Sequence, residues 1–277
     1  MSRRVLGPRP NPLPRSEWVV NFCYRAPLFF LATAFFGSLS LISSLWDKSG
    51  RVQHGIAQQW GRTVTWISGA RVTVLNGQRL DGRVAVYVSN HLSYADTPVL
   101  FGTLPFQFRI VARHELFKLP FIGWHLARSG QVPVNVSNPR ASISSLGSAV
   151  KTLRSGMPLF IFPEGGRSET GHPQDFLNGP AFMAIRAGVP IVPMALIGTH
   201  ELLPIHTSEF HPVPVTLAVG EPIETTGYSI RQTDELTERV REAISQLYYQ
   251  RTYLKPPPAS EPGVDRNNES ERMEKCK

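Results

Sequence analysis

The stretch Val88–Pro98, VSNHLSYADTP, places a histidine where an apolar run ends and an aspartate five residues later. His91 and Asp96 are the residue types of an oriented general base. A carboxylate that hydrogen-bonds one imidazole nitrogen fixes the tautomer and steadies the imidazolium, and the second nitrogen can then take a proton. This is the histidine–carboxylate half of a catalytic triad. Ser89 and Ser93 lie close by, yet no G-x-S-x-G sequence exposes a serine on a strained turn. Attack by a hydroxyl of the substrate itself is the simpler chemistry. The competing reading is a capped helix beside a histidine whose hydrogen bonds are already satisfied.

A second loop, Phe162–Ser168 (FPEGGRS), also follows an apolar run, MPLFIFP. Gly165 and Gly166 leave the backbone able to approach a ligand, and Arg167 offers a planar fork suited to phosphate. Glu164 either positions that arginine or faces the substrate as an acid. Two such loops, each following a strand of one sheet, point to a shared site at the strands' carboxyl ends. His200, His206 and His211, with Glu201, are the candidate metal ligands. Their spacings of six and five, with Pro204 and Pro212 nearby, put them on a loop and not on one helical face, so no metal is expected.

The elements that must position these loops alternate. Val72–Leu75, Arg83–Val88, Arg109–Ala112, Gln131–Val136, Pro158–Phe162, Pro190–Leu196 and Val213–Val219 read as strands. Tyr94–Gly102, Pro120–Ser129, Pro139–Arg154, Gly179–Ala187 and Gln232–Gln250 read as helices. This order predicts an α/β fold with a mixed, mostly parallel central sheet flanked by helices.

The chain has 277 residues, 29 Lys and Arg against 21 Asp and Glu, and a net charge of +8. One sizeable core fits this length. The charge suits an anionic partner: nucleic acid, a phospholipid surface or a phosphorylated substrate. The basic residues are spread along the chain and are not gathered on one helix among aromatics, so no nucleic acid is expected. Cys23 and Cys276, near opposite ends, form no disulfide framework, which fits a reducing compartment.

Ala26–Trp46 carries no charge over 21 residues; as a helix it would be roughly 32 Å long, about the thickness of a bilayer core. A buried core helix is the alternative. Basic residues flank both sides, Arg15 and Arg25 before it and Lys48 and Arg51 after it. A simple span would put one of these flanks outside, against the positive-inside tendency. Val52, Ile56, Trp60, Val64 and Ile67 then repeat at helical spacing opposite Gln53, His54, Gln58 and Arg62. The expected anchor is therefore a monotopic helical hairpin on the cytoplasmic face of a membrane. The division read from the chain is a basic, Pro-rich tail (1–25), the membrane-associated hairpin (26–69), a catalytic domain (70–254) and a disordered tail (255–277).

NHLSYAD, from Asn90 to Asp96, resembles the NHx4D motif of the glycerolipid acyltransferases, the family of 1-acylglycerol-3-phosphate acyltransferase. FPEGGRS resembles that family's FPEGTRS. The intervening ARHELFKLPFIGWHLARSG resembles its second block, with Arg113, Glu115, Leu116, Pro120, Gly123 and Gly130 in order, and Ile191, Val192 and Pro193 resemble its last. The resemblance implies a glycerol-3-phosphate acyltransferase-like fold. It also implies transfer of an acyl chain from acyl-CoA or acyl-carrier protein to the free hydroxyl of a lysophospholipid, with 1-acylglycerol-3-phosphate the default acceptor. His91 and Asp96 are then catalytic, and Arg113, Glu164, Gly165, Gly166 and Arg167 bind substrate. No cofactor is implied, because the thioester carries the activation. Gly166 stands in place of the usual threonine, which leaves another lysolipid as an alternative acceptor. A nonenzymatic membrane-binding protein is the other alternative.

Overall fold

Val86–Ser89 presents four residues in a row with buried side chains, the pattern of a strand covered on both faces. The computed structural model describes residues 13–119, 121–135 and 139–256; the Pro-rich start, Pro120 and the tail from Pro257, with Cys276, lie outside the described residues. Among the described residues the sheet has seven strands, β1 (Arg71–Leu75), β2 (Val86–Ser89), β3 (Arg109–Arg113), β4 (Val132–Val134), β5 (Leu159–Ile161), β6 (Ile191–Ile197) and β7 (Pro214–Val219), in the order β1-β7-β6-β2-β5-β3-β4. Every neighbouring pair is parallel except β6 with β7. The sheet is thus mixed and mostly parallel, as the alternating pattern predicts.

At the N-terminus α1 (Arg15–Val20), a π-helical segment (Asn21–Arg25) and α2 (Ala26–Ser43) form one helical run that α3 (Arg51–Ile67) folds back upon. Helices α4 (Asp96–Thr103), α5 (Ile122–Arg128), α6 (Pro139–Arg154), α7 (Gly179–Ala187), α8 (Thr199–Leu202) and α9 (Thr233–Tyr249) follow. Alternation along the strands divides the core in two. Tyr87, Phe160, Val192 and Leu217 pack with residues of α3 and α4, whereas Val86, Val88, Leu159 and Ile161 pack with α6, α7 and α9.

The helical hairpin is present, and it differs from the sequence reading in two ways. The helix begins at Arg15, ahead of the boundary at Ala26. Asn21 explains this: its side chain accepts from the Phe210 N–H at 2.9 Å and donates to the Ser208 carbonyl at 3.1 Å, so the helix start is tied to the β6–β7 connection. The second difference is the face of α3 turned to the protein. Gln53, His54, Ala57, Gly61, Val64 and Ile67 are buried, while Val52 is 47% exposed. Polar residues opposite the apolar stripe bond carbonyls at and beyond the end of α4, which have no partner within that helix. His54 Nε2 lies 3.0 Å from the Phe106 oxygen, Gln58 donates to Leu104 at 2.8 Å and Arg62 to Gly102 at 3.2 Å. Asp47 caps α3 by accepting the Val52 N–H at 2.8 Å.

Glycine makes the α3–α4 crossing possible. A Cβ on Gly61 would sit 2.4 Å from the Pro98 carbonyl oxygen and 2.5 Å from the Gly102 nitrogen. Gly61→Ala should therefore separate the helices and cost about 1–3 kcal/mol. Thermal unfolding should read this as a Tm lower by roughly 2–10 °C, and an unchanged Tm would mean that the crossing is not tightly packed.

Candidate active site

Where β2 ends, Asn90 takes over its pairing. The Asn90 amide oxygen accepts the Leu196 N–H at 2.8 Å and its nitrogen donates to the Leu196 carbonyl at 2.9 Å, so a side chain prolongs the β2–β6 ladder by one step. The backbone then turns away and delivers His91. Its Nδ1 lies 2.8 Å from Asp96 Oδ2, and that same oxygen accepts the N–H groups of Leu92 at 2.7 Å and Ser93 at 2.8 Å. An ionised carboxylate only accepts, so Nδ1 carries the hydrogen, and in a neutral imidazole Nε2 keeps its lone pair. The Asp96 side chain is fully buried and that of His91 is 13% exposed, an opening that reaches the imidazole and not the carboxylate. Phe162 stacks on the imidazole with centroids 3.8 Å apart and planes 13° from parallel.

The second loop leaves the adjacent parallel strand, β5, and grips His91 by its backbone. Glu164 Oε1 accepts the His91 N–H at 2.8 Å, Oε2 accepts the Gln174 N–H at 3.0 Å, and the Ser168 N–H donates to the His91 carbonyl at 3.0 Å. Glu164 therefore ties three segments together. Enclosure between the loops pushes its carboxyl up to about 8, against the pull of the two N–H donors, and the Asp96 charge adds to the rise. Gly165 sits at φ +69°, where a side chain is strained, and a Cβ there would lie 3.0 Å from Leu177 Cδ1. No atom lies within 4 Å of where a Gly166 Cβ would be, so the loop is open at that point. Arg167 is exposed, and its Cζ lies 3.7 Å from the Tyr94 ring centroid.

Arg113 ends β3, two strands from β2, at the same edge of the sheet. It is 57% exposed and 3.5 Å from Glu115, beyond the cluster around His91. His206 lies 3.8 Å from Glu169 and His211 3.8 Å from Glu209, while His200 is buried. Among the described residues no group of three or more His, Cys, Asp or Glu is arranged to hold a metal. Sequence reasoning singled out neither Tyr94, Phe162 nor Ser168 as a working residue. Both aromatic rings sit inside the two motifs, but their partners lie on the other loop, so spacing gives no sign of the stacking.

The raised pKa of Glu164 makes a stability prediction. Its folded-state value lies above the usual 4.5, so its contribution is greatest below that pH and is lost as pH rises towards about 8. Glu164→Gln cannot ionise. Relative to wild type, its unfolding free energy in urea should rise by about 1–3 kcal/mol between pH 5 and pH 8. A difference independent of pH would show that Glu164 does not titrate in that window.

The chain resembles known proteins along most of its length. The Acyltransferase family model matches residues 71–197. A 1-acyl-sn-glycerol-3-phosphate acyltransferase of Limnanthes douglasii is 29% identical over 211 residues, 76% of this chain and 72% of that protein. One of Pseudomonas aeruginosa is 28% identical over 232 residues, 80% of this chain and 89% of its own length. The crystal structure of the 1-acyl-sn-glycerophosphate acyltransferase from Thermotoga maritima superposes with a TM-score of 0.73 at 24% identity, covering 87% of this chain and all of that one, and so shares the fold. The matched segment runs from the first residue of β1 to the last of β6 and contains both loops; over these residues the chain carries an Acyltransferase domain.

Proposed function

We propose that the protein moves an acyl chain from a thioester, acyl-CoA or acyl-carrier protein, to the free hydroxyl of 1-acylglycerol-3-phosphate and so forms phosphatidate. The observation that carries this reading is the imidazole held at 2.8 Å from a fully buried carboxylate with Nε2 left able to accept a proton. Nε2 removes the proton from the acceptor hydroxyl as its oxygen attacks the thioester carbonyl. Collapse of the tetrahedral intermediate breaks the C–S bond, and the imidazolium returns the proton to the departing thiolate. The base needs no protein nucleophile. Arg167, with the open backbone at Gly165 and Gly166, holds the acceptor phosphate; Glu164 keeps that loop in place, and Arg113 meets the anionic part of a substrate farther along the edge. The names of the relatives support the choice of acceptor.

The membrane reading rests on the hairpin. The run Arg15–Ser43, 29 residues, is the helix among the described residues that is long and apolar enough to cross a membrane. Its Phe30, Leu31 and Phe35 are each more than 60% exposed, and Trp46 follows at 64%. A second exposed group, Phe121, Ile122 and Trp124, lies beside it, where Ser40 Oγ and His125 Nδ1 are 2.8 Å apart. Because α3 folds back on α2, the chain rests in one leaflet with Arg15, Arg25, Lys48 and Arg51 at the cytoplasmic surface.

Acyl transfer to lysophosphatidate in vesicles should fall by about 10²–10⁴-fold in His91→Ala. Asp96→Asn should chiefly lower kcat, whereas Arg167→Ala should chiefly raise the acceptor KM. Wild type inactive with both donors, on lysophosphatidate and on other lysolipids, would overturn the assignment. Leu31→Asp with Phe35→Asp should reduce partition into anionic vesicles at least about tenfold; unchanged partition would place the anchor elsewhere.

A further inference from the structure

We propose that Tyr94 is a positioning residue for acceptor recognition: its ring holds the Arg167 guanidinium at a fixed distance from His91. The inference rests on the reading of Arg167 as the phosphate clamp and assigns it a support from the other loop. The guanidinium carbon lies 3.7 Å from the ring centroid, within the range of a cation–π contact. Tyr94 is itself 47% exposed, so burial in the core does not account for a large aromatic at this position.

The perch is rigid. Ser93 donates its N–H to Asp96 at 2.8 Å and its hydroxyl to the Leu203 carbonyl at 2.7 Å, and the Ala95 N–H donates to the Ser93 hydroxyl at 3.0 Å. Tyr94 lies between these anchored residues, three positions after His91 and two before Asp96. The base and the platform for the clamp are therefore parts of one turn. Arg167 has no acidic partner among the described residues. Stacking occupies the face of the guanidinium and leaves its N–H edges for a phosphate. An exposed arginine without such a platform would sample many rotamers, and its fork would meet the phosphate at variable distances from Nε2. The chemical consequence is selection: an acceptor is favoured when its hydroxyl and its phosphate are separated by the distance from His91 to the stacked Arg167.

Steady-state kinetics with lysophosphatidate on Tyr94→Leu, Tyr94→Phe, Arg167→Ala and the Tyr94→Leu, Arg167→Ala double variant test this. We expect Tyr94→Leu to raise the acceptor KM about two- to thirty-fold with kcat within about twofold. Tyr94→Phe, which keeps the ring, should recover most of the affinity, and Tyr94→Leu should add little in the Arg167→Ala background. If Arg167→Ala raises KM but Tyr94→Leu does not, the platform role is wrong while the clamp stands. A Tyr94→Phe variant as weak as Tyr94→Leu, or an undiminished effect of Tyr94→Leu without Arg167, would also overturn it. Arg167→Ala with unchanged KM would remove the clamp and the platform with it.

Discussion

The site depends on one buried oxygen. Asp96 Oδ2 accepts from the His91 imidazole and from the N–H groups of Leu92 and Ser93, while Oδ1 has no partner among the described residues. A carboxylate taken out of water without donors costs several kcal/mol, so these contacts are conditions for the fold as well as aids to chemistry. The turn from His91 to Asp96 cannot relax without stranding that charge. Placement at the first residue of α4 adds a favourable interaction with the helix's N-terminal N–H groups. The histidine thus acquires its tautomer from a constraint that stability imposes independently.

Around this oxygen the fold arranges supports in order of sequence distance. Asn90 fixes where β2 stops by borrowing a pairing from β6. Glu164 and Ser168, more than 70 residues farther along the chain, hold both backbone groups of His91. That grip requires β5 to lie next to β2 and parallel to it, because only then do both loops emerge at one edge. Helix α4, which starts with Asp96, is packed against α3 through glycines. The N-terminal helical hairpin and the His91–Asp96 turn are therefore joined by a tight helix crossing.

Much of this was legible in the sequence. The seven strands announce themselves as short β-branched runs between helical stretches, and the His91–Asp96 pairing follows from five residues of spacing at a strand-to-helix corner. Glu164 and Arg167 were readable as part of a loop that leaves the sheet beside His91, yet not the contacts they make. Glu164 turns to backbone and Arg167 to the Tyr94 ring, and both contacts join segments whose proximity is set by the sheet. Local pattern carries no information on which loop faces which; strand order does, and it is fixed only when the whole core is packed.

The orientation of α3 has a physical reason that applies to any helix between a protein and lipid. Periodicity shows which side of a helix is apolar, but protein core and bilayer both accept apolar side chains, so the stripe alone does not say which of them it meets. What decides α3 is its other side. Gly61 and Ala57 let α4 approach, and His54, Gln58 and Arg62 satisfy carbonyls at and beyond the end of that helix. A bilayer offers no partner for those groups. Gln53 and His54 are therefore buried together with Val64 and Ile67, and Val52 and Trp66, at 47% and 71% exposure, lie at the surface. Small residues and unspent carbonyl acceptors, together with the buried end of the apolar stripe at Val64 and Ile67, orient the hairpin on the domain.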